Sequence, residues 1–308
     1  METDGPDQGA AAPEPGRADR LAPGLRRVLA PNPSPMTLHG TNSYIIGEGR
    51  VAVIDPGPES PAHLAALRAA LAPGETVSHV IVTHSHRDHA PLARPLARAF
   101  GAPVLAFGAS DEGRSPVMVA LALSAGLGGG EGVAEGFRPD ERLPDGAELS
   151  GDGWTLRALH TPGHMGNHLC LQWGKAIFSG DHVMGWASSL VSPPDGDMGR
   201  YMESLDRLDA AGAHILYPGH GPAVADPARR IAALRDHRRM REAQILATLA
   251  GEGPATSGAI ARAIYHEIPP GMMAAAERNV LAHLIDLCER GRVLHDSPHG
   301  PTARYRPG

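Results

Sequence analysis

Beyond residue 25 the chain alternates short apolar runs of strand length with longer runs of helical periodicity. YIIG, VAVID, VSHVIVTH and VLAFG, between residues 44 and 108, predict strands because apolar and β-branched side chains dominate them. SPAHLAALRAALA and ARPLARAFG predict helices, with Ser60 as the N-cap of the first and Gly101 ending the second. We therefore expect an α/β domain in which strands and helices interleave.

The interleaved pattern returns after residue 147. AELSGDGWTLRALH predicts a hairpin around a Gly-Asp-Gly turn, and LCLQWG and KAIFSG predict two more strands. Residues 199–211 have helical periodicity, and HILYPGHG predicts a last strand that runs into a loop. Between the two halves, residues 108–136 are rich in glycine and predict a mobile loop with one helix around Val117–Ser124. The domain predicted in this way covers residues 25–228.

From residue 226 onward the pattern is almost entirely helical and ends in a short hairpin with its turn at residues 297–301. Three helices followed by a β-hairpin are typical of a winged helix, a variant of the helix-turn-helix. We place this second domain at residues 229–308. At the other end, residues 1–24 are rich in Pro, Gly and Ala and lack the basic and apolar parts of a signal peptide, which predicts a disordered leader.

Composition and charge add two constraints. The chain has 42% hydrophobic and 20% charged residues, and no apolar run reaches the ~18 residues of a membrane span, so we expect a cytoplasmic protein without membrane association. Residues 229–308 contain 12 Arg against 8 acidic residues, a net of +4, whereas residues 1–228 have a net charge of −10. The basic run RDHRRMR, residues 235–241, is a candidate phosphate contact, although such runs are most often the solvated face of a helix.

The two cysteines, Cys170 and Cys288, lie far apart in sequence and form no CxxC or Cys/His spacing. This argues against a disulfide framework and against a structural zinc finger. We expect both to be buried thiols.

Candidate metal ligands are concentrated in THSHRDHA, residues 83–90, where a predicted strand ends. Residues two apart in extended chain point to the same side, so His84 and His86 can face one ion, and Asp88 and His89 follow directly. Imidazole and carboxylate are ligands that Zn²⁺ prefers. Three further candidates each follow a strand in a small-residue turn: His164 in TPGH, Asp181 in FSGDH and His220 in YPGHG.

These motifs, together with VIDPG around Asp55, resemble the metallo-β-lactamase superfamily. GTNSYIIG, THSHRDHA, TPGH, FSGD, YPGHGP and HRRMREAQIL occur in the order expected for its lactamase-beta-like subgroup, which carries a C-terminal winged helix. The resemblance covers nearly the whole chain after residue 25. It implies a four-layered αββα sandwich with metals at one edge, between the sheets, followed by the small winged-helix domain.

The resemblance also implies two metal sites and a hydrolytic mechanism. Two Zn²⁺ per chain are the implied cofactors, with Mn²⁺ or Fe²⁺ as alternatives, and the nucleophile would be a metal-bound hydroxide. Asp88 and Asp181 would be the protein residues that take a direct part in catalysis. The implied ligands are His84, His86 and His164 for the first metal, Asp88, His89 and His220 for the second, and Asp181 as a bridge between them.

Other polar residues near these motifs have weaker assignments. Asp55 and His168 would support the ligands through hydrogen bonds rather than bind metal. His182, adjacent to Asp181, should point away from the site because successive strand residues face opposite sides. Three further polar residues are candidates to point into the cleft: Asn42, Ser43 and Tyr201.

Three reaction classes fit the resemblance. Animal members of the subgroup cleave single-stranded RNA, so the sequence leans to phosphodiester hydrolysis, with the winged helix supplying phosphate contacts. A thioester or lactone hydrolase of the glyoxalase II type would use the same seven ligands. An iron-dependent oxidoreductase of the same fold is a further alternative. The expected partner is therefore a small-molecule ester or single-stranded RNA, and the oligomeric state stays open, with a homodimer as one option.

Overall fold

The structure, a computed structural model, describes residues 12–124, 132–266 and 268–308. Its strands are β1 (Ala18–Ala22), β2 (Leu25–Leu29), β3 (Asn42–Ile46), β4 (Arg50–Ile54), β5 (Thr76–Ile81), β6 (Val104–Ala106), β7 (Glu141–Arg142), β8 (Glu148–Gly151), β9 (Trp154–His160), β10 (Leu169–Trp173), β11 (Ala176–Gly180), β12 (Ile215–Pro218), β13 (Val293–His295) and β14 (Tyr305–Pro307). Its helices are α1 (Pro61–Ala69), α2 (Ala93–Phe100), α3 (Pro116–Leu123), α4 (Met198–Ala210), α5 (Pro227–Glu252), α6 (Ser257–Ile264) and α7 (Met273–Glu289).

Two mixed sheets form the first domain. The larger sheet contains β1 to β7 in chain order, antiparallel as far as β4 and parallel from β4 to β7. The smaller sheet has the order β12-β11-β10-β9-β8, with β11 and β12 parallel. Parallel neighbours such as β4 and β5 bring the ends of successive strands to the same edge, which is where turn residues with side-chain ligands can meet.

An apolar layer holds the two sheets together. Ile54 and Ile81 from the larger sheet share one buried cluster with Leu171 and Phe178 from the smaller sheet. Each such side chain stabilises the fold by roughly 1.5–3 kcal/mol when it is fully buried. Helices α1 and α2 pack on the outer face of the larger sheet, and α4 and α5 pack on the outer face of the smaller one. The predicted four-layered αββα sandwich is confirmed.

The C-terminal part is the predicted winged helix. Helices α5, α6 and α7 and the hairpin of β13 and β14 surround their own apolar core, which includes Ile260, Leu284 and Tyr305. Helix α3 also contributes to this core, through Met118 and Leu121.

Helix α5 belongs to both parts of the molecule. Its first half places Ile231 and Leu234 in the core behind the smaller sheet, and its second half places Ile245 and Leu249 in the winged-helix core. The predicted domain boundary between residues 228 and 229 therefore falls at the first turn of a 26-residue helix that spans both cores.

The N-terminal segment differs from the prediction. Ala18–Ala22 is not disordered but forms β1, which pairs antiparallel with β2, so the leader predicted for residues 1–24 is wrong over this strand. Pairing with β2 satisfies backbone groups that the sequence pattern gave no reason to place in a sheet. Residues 1–11 lie outside the described residues, as do residues 125–131 of the predicted glycine-rich loop, whose helix is present as α3.

Capping positions and cysteines can be compared directly with the sequence. Ser60 accepts a hydrogen bond from the backbone of His63, and Gly101 ends α2 with φ of 66°, both as predicted. Cys170 is a buried free thiol, but Cys288 is only half-buried, so that part of the expectation is wrong. In the described part of the chain, no helix is long and apolar enough to cross a bilayer.

His283 in α7 makes acid stability a property that can be tested. It is buried, and among the described residues neither ring nitrogen has a hydrogen-bond partner. Burial and the nearby Arg238 lower the pKa of His283 to about 3. Below pH 6.5 the unfolded chain binds a proton that the native state does not, so the free energy of unfolding falls with decreasing pH, by about 2 kcal/mol at pH 5.

His283→Gln should therefore unfold with a shallower pH dependence than the wild type between pH 6.5 and pH 5. Urea unfolding at several pH values measures this slope, which is independent of any constant cost of the substitution. His266→Gln, at an exposed position in the same domain, is the control and should keep the wild-type slope. Equal slopes for all three proteins would contradict the prediction.

Candidate metal centre

The seven predicted ligands meet at one edge of the sandwich, where strands of both sheets end. The chain leaves β5 through Val82 and Thr83 and then presents His84, His86, Asp88 and His89. Across the gap, the ends of β9, β11 and β12 lead to His164, Asp181 and His220. All seven side chains fall into two groups that share Asp181, and within each group the ligand atoms lie within 4.8 Å of one another.

The first group contains His84, His86 and His164 with Asp181. His86 Nδ1 lies 3.0 Å from His84 Nε2 and 3.0 Å from His164 Nε2. Asp181 Oδ2 lies 3.9 Å from His84 Nε2 and 3.8 Å from His164 Nε2. The remaining nitrogen of His164 donates to the carbonyl of Leu190, which fixes the orientation of the ring.

The second group contains Asp88, His89 and His220 with the same Asp181. His220 Nε2 lies 3.1 Å from Asp88 Oδ2 and 3.2 Å from Asp181 Oδ2. His89 Nε2 lies 3.5 Å from Asp181 Oδ1 and 3.3 Å from His220 Nε2. On its other side His220 Nδ1 donates to the carbonyl of Gly40, so Nε2 is the nitrogen that faces the group.

Asp55 supports the loop that carries the ligand candidates after β5. Its carboxylate accepts hydrogen bonds from the backbone and hydroxyl of Thr83, each 2.7 Å long, and from His89 Nδ1 at 2.9 Å. The residue has φ of 48°, a left-handed conformation that is uncommon outside glycine and that turns the chain sharply after β4. Asp55 thus orients His89 without joining either ligand group.

His168 and His182 lie behind the centre. His168 accepts a hydrogen bond from the backbone N–H of Asp181 and is itself held by Thr161, so it supports the loop that carries Asp181. The His182 ring packs against the Tyr201 ring, with 4.5 Å between centroids, and belongs to neither ligand group.

Asn42, Ser43 and Tyr201 do not point into the cleft. The Asn42 amide donates to the carbonyls of Pro218 and Gly221, the Ser43 hydroxyl donates to the carbonyl of Asp55, and the Tyr201 hydroxyl donates to the carbonyl of His182. All three are buried, and they brace the turns that carry the ligands. The sequence identified polar turn residues correctly but could not show whether they faced the substrate or the backbone.

The imidazoles of the first group favour the neutral form. Burial lowers the pKa of His84 well below its usual value, and burial with the nearby His164 lowers that of His86 to about 3. Burial also lowers the pKa of His164. Neutral imidazole is the form that binds metal ions.

The second group is a cluster of opposite charges. Burial opposes the charged forms, but the carboxylates of Asp181 and Asp88 outweigh it and raise the pKa of His220 to about 9 and that of His89 well above its usual value. His220 and His89 in turn hold the pKa of Asp181 well below its usual range. Two negative carboxylates therefore face two imidazoles, an arrangement in which a divalent cation can replace two protons.

The donor set fits metal ions. Asp181 Oδ1 is buried and has no hydrogen-bond partner among the described residues, although an ionised carboxylate oxygen ordinarily accepts several. Five imidazoles and the Asp88 carboxylate converge around the Asp181 carboxylate, and no sulfur ligand is present in either group. Nitrogen and oxygen donors of this kind suit zinc, manganese or iron.

A cavity of about 620 Å³ opens over the centre. The winged helix supplies much of its wall, so the second domain covers the centre rather than standing apart from it. The ligand residues on its floor are His86, Asp88, His164, Asp181 and His220. Wall residues include Met184, Trp186 and Leu190 from the sandwich and Arg238, Arg241, Tyr265, Met272 and Asn279 from the winged helix.

The sequence did not reveal the wall of this cavity. Arg241 lies over the Tyr265 ring, with its guanidinium carbon 4.4 Å from the ring centroid, and both residues line the cavity. The HRRMREAQIL motif contains Arg241, but only the packing of α5 against the sandwich shows that this face looks into the cavity.

The αββα fold and the two ligand groups, which have Asp181 in common, define a class of metal-binding α/β sandwich hydrolases. Comparison with known proteins identifies the family. The chain matches the Metallo-beta-lactamase superfamily over residues 36–220 and the Beta-lactamase associated winged helix domain over residues 256–300. It belongs to the metallo-beta-lactamase superfamily. The predicted family, fold and metal-dependent hydrolase class are thereby confirmed.

Proteins similar over most of the chain are known. The chain is 30% identical to Beta-lactamase-like protein 2 homolog of Caenorhabditis elegans, over 93% of this chain and 91% of that protein. It is 31% identical to an Atrochrysone carboxyl ACP thioesterase of Aspergillus fumigatus, over 85% and 80%. A crystal structure of a metallo-beta-lactamase family protein from Thermus thermophilus aligns with a TM-score of 0.73 at 27% identity, covering 94% of this chain and 100% of that one.

Proposed function

We propose that the protein is a two-metal hydrolase of acyl thioesters. The observation that carries this proposal is the cavity over the ligand groups, whose wall is mainly apolar and is closed by the winged helix. Sites for small organic molecules are typically concave and apolar with a few polar groups that fix orientation. An acyl chain fits such a wall, and the similarity to a thioesterase over 85% of this chain supports the same substrate class.

The number of arginines in α5 suggested an RNA-binding surface. Their contacts argue against it, because several of them are paired within the molecule. Arg235 forms ion pairs with Asp206 and Asp209, and Arg230 donates to the carbonyls of Met184 and Ala187. A backbone-binding groove needs several cations free to contact phosphates. Arg230 and Arg235 are instead engaged within the molecule.

Arg238 follows the same pattern. It is buried, donates to the carbonyl of Ser189, and lies over the Tyr201 ring at 5.0 Å from its centroid. It therefore ties α5 to the loop after Asp181, which positions the cavity wall relative to its floor.

The described residues of the cavity wall include no acidic group that could protonate a leaving group, which also favours a thioester. Burial and the neighbouring arginines lower the pKa of His237, the wall imidazole, to about 4, so it is neutral at pH 7. Among the described lining residues, no carboxyl group lies outside the ligand groups. A thiolate is a stable leaving group that departs without a proton, whereas an alkoxide leaves faster when an acid protonates it.

The residues of the chain have distinct tasks in this reaction. His84, His86 and His164 would hold one metal ion, Asp88, His89 and His220 a second, and Asp181 both. When bound, such ions supply a nucleophile at neutral pH and polarise the attacked carbonyl. The Asp88 side chain, 27% exposed, faces the cavity and accepts a hydrogen bond from His220, so it places a negative carboxylate on the cavity floor. The apolar part of the wall would limit the access of water to the centre.

A side-by-side assay tests the substrate class. Purified protein with its metals would be given S-acyl N-acetylcysteamine thioesters of increasing chain length, a lactone, bis-p-nitrophenyl phosphate and a single-stranded RNA oligonucleotide. We expect kcat/KM for the best thioester to exceed that of every phosphodiester by at least about 10²-fold, nearly 3 kcal/mol. A higher value for RNA would reverse the assignment.

Metal analysis of the same sample should give about two ions per chain, and one iron with oxygen consumption would indicate the oxidoreductase alternative.

Arg241 allows a test of whether the cavity prefers thioesters that carry a negative charge. Its Nε is buried without a hydrogen-bond partner among the described residues, and the side chain lines the cavity, so it is placed to bind an anionic group of the substrate. Arg241→Gln should raise KM about tenfold for thioesters with a carboxylate or phosphate and leave neutral thioesters unchanged. Arg239→Gln, on the same helix at a 70% exposed position, is the matched control. An equal effect on charged and neutral substrates would contradict this role.

A further inference from the structure

A second group of metal-binding side chains lies in the winged helix, away from the metal centre. It comprises Cys288 near the C-terminal end of α7, His295 at the end of β13, and His299 in the hairpin turn. The ligand atoms of all three lie within 4.8 Å of one another. These residues are not needed for the proposed hydrolysis, and they lie where the end of α7 packs against the hairpin.

The two imidazoles are held in defined orientations. His295 Nδ1 donates to the carbonyl of Ser297 at 2.7 Å, and His299 Nδ1 lies 3.4 Å from the Tyr305 hydroxyl. Each ring is thereby left with Nε2 as its available nitrogen. Metal-binding histidines commonly have their other nitrogen bonded in this way, which fixes the tautomer.

The rings and the thiol are also close enough to converge on one ion. The centroids of the His295 and His299 rings are 4.2 Å apart, and the His299 ring is stacked on Tyr305 with an interplanar angle of 10°. Ligand atoms around a tetrahedral zinc ion are about 3.3–3.6 Å apart, given Zn–S of about 2.3 Å and Zn–N of about 2.0 Å. Because all separations are within 4.8 Å, rotations of the side chains that shorten them by no more than about 1.5 Å would complete the geometry.

We propose that Cys288, His295 and His299 form a third metal site, which binds a borderline divalent cation of the Zn²⁺ class and fastens the hairpin turn to α7. One thiolate and two imidazoles are the donors that such cations prefer, and the exposed side of His295 leaves a position for water. Because the three ligands come from separate elements, one ion would cross-link the helix end to the wing.

Binding at this site must release a proton. Burial raises the pKa of the Cys288 thiol to about 11, so the free thiol is protonated at neutral pH, whereas burial and His295 lower the pKa of His299 to about 4 and leave it neutral. The metal has to displace the thiol proton, and its affinity should increase with pH.

Cobalt titration of the full-length protein separates this site from the metal centre. Neither ligand group of the metal centre contains sulfur, so a sulfur-to-cobalt charge-transfer absorption can arise only where a thiolate binds the ion. We expect protein saturated at its metal centre and kept reduced to take up one further Co²⁺ per chain with this absorption. Zn²⁺ should then abolish the absorption and slow proteolysis of the wing turn around residues 296–304.

Matched variants decide the outcome. Cys288→Ser should lose the absorption, and His299→Gln should weaken Co²⁺ binding by at least about tenfold. Cys170→Ala, which removes the other thiol of the chain, should retain the wild-type titration. Absence of the absorption with Co²⁺ in excess, or its persistence in Cys288→Ser, would overturn the site. Metal uptake without protection of the turn would overturn the fastening role.

Discussion

Asp181→Ala is expected to lower turnover by roughly 10³-fold, beyond the 10- to 100-fold typical for loss of an outer partner of a ligand. The reason is its position: the carboxylate lies within 3.9 Å of the facing nitrogens of His84, His89, His164 and His220. Its removal would deprive both ligand groups of a shared negative donor and leave Asp88 as the one carboxylate that contacts both His89 and His220. Bound metal should fall from about two ions per chain to one or fewer.

Elemental analysis and steady-state hydrolysis of the best thioester would measure the two effects on the same preparation. Asp181→Asn keeps the shape of the side chain and removes its charge, so it distinguishes loss of a metal ligand from local unfolding. Asp145→Asn is a control, because this carboxylate pairs with Arg207 at the surface and belongs to neither ligand group. An Asp181→Ala protein that kept both metals and wild-type turnover would refute the bridging role.

Gly219→Ala should disable the centre through a single methyl group. A Cβ at this position would lie 2.4 Å from Asp181 Oδ1 and 2.7 Å from His89 Cε1, both too close for real atoms. Since Gly219 is anchored to Gly180 and Asn42 by backbone hydrogen bonds, the two ligands must move instead. Displacement of catalytic groups by about 1 Å typically costs about 10²-fold in rate, and we expect at least that loss.

Thermal unfolding and circular dichroism would show whether the fold survives, and a metal titration would show weaker binding. Gly251→Ala in α5 is the matched control, because its added methyl meets no atom of the described residues within 4 Å. It should leave turnover unchanged. Wild-type activity in Gly219→Ala would contradict the prediction. It would mean that the backbone at Gly219 moves, despite its hydrogen bonds, and leaves Asp181 and His89 in place.

Periodicity and turn chemistry predicted most of the fold. Continuous apolar runs identified β3 to β6 and β10 to β12, where most positions are buried, whereas alternation around a Gly-Asp-Gly turn identified β8 and β9. β1 and β2 were missed, since charged residues interrupt their short apolar runs, and β7 is two residues long. Their pairing depends on distant neighbours, which no local pattern records.

The convergence of the seven candidate ligands was predictable for a different reason. Each stands in a short motif at a strand end, where residue type and spacing are both restricted by the turn. The partners of Asn42 and the inward face of Arg241 were not predictable, because they depend on how α5 and the turns pack against one another. The cluster of Cys288, His295 and His299 was not predicted either. A helix and a hairpin bring these residues together, and their spacing in the sequence matches no familiar zinc motif.

The division of the cavity between two domains has an evolutionary consequence. Its floor consists of candidate metal ligands, on which the proposed chemistry depends, whereas Tyr265, Met272 and Arg241 on its wall come from the winged helix. Substitutions in that wall can change the size or charge of the accepted substrate without disturbing a single metal ligand. Descendants of one ancestral enzyme could thus acquire new substrates by drift in the winged helix alone, while the reaction itself is inherited intact.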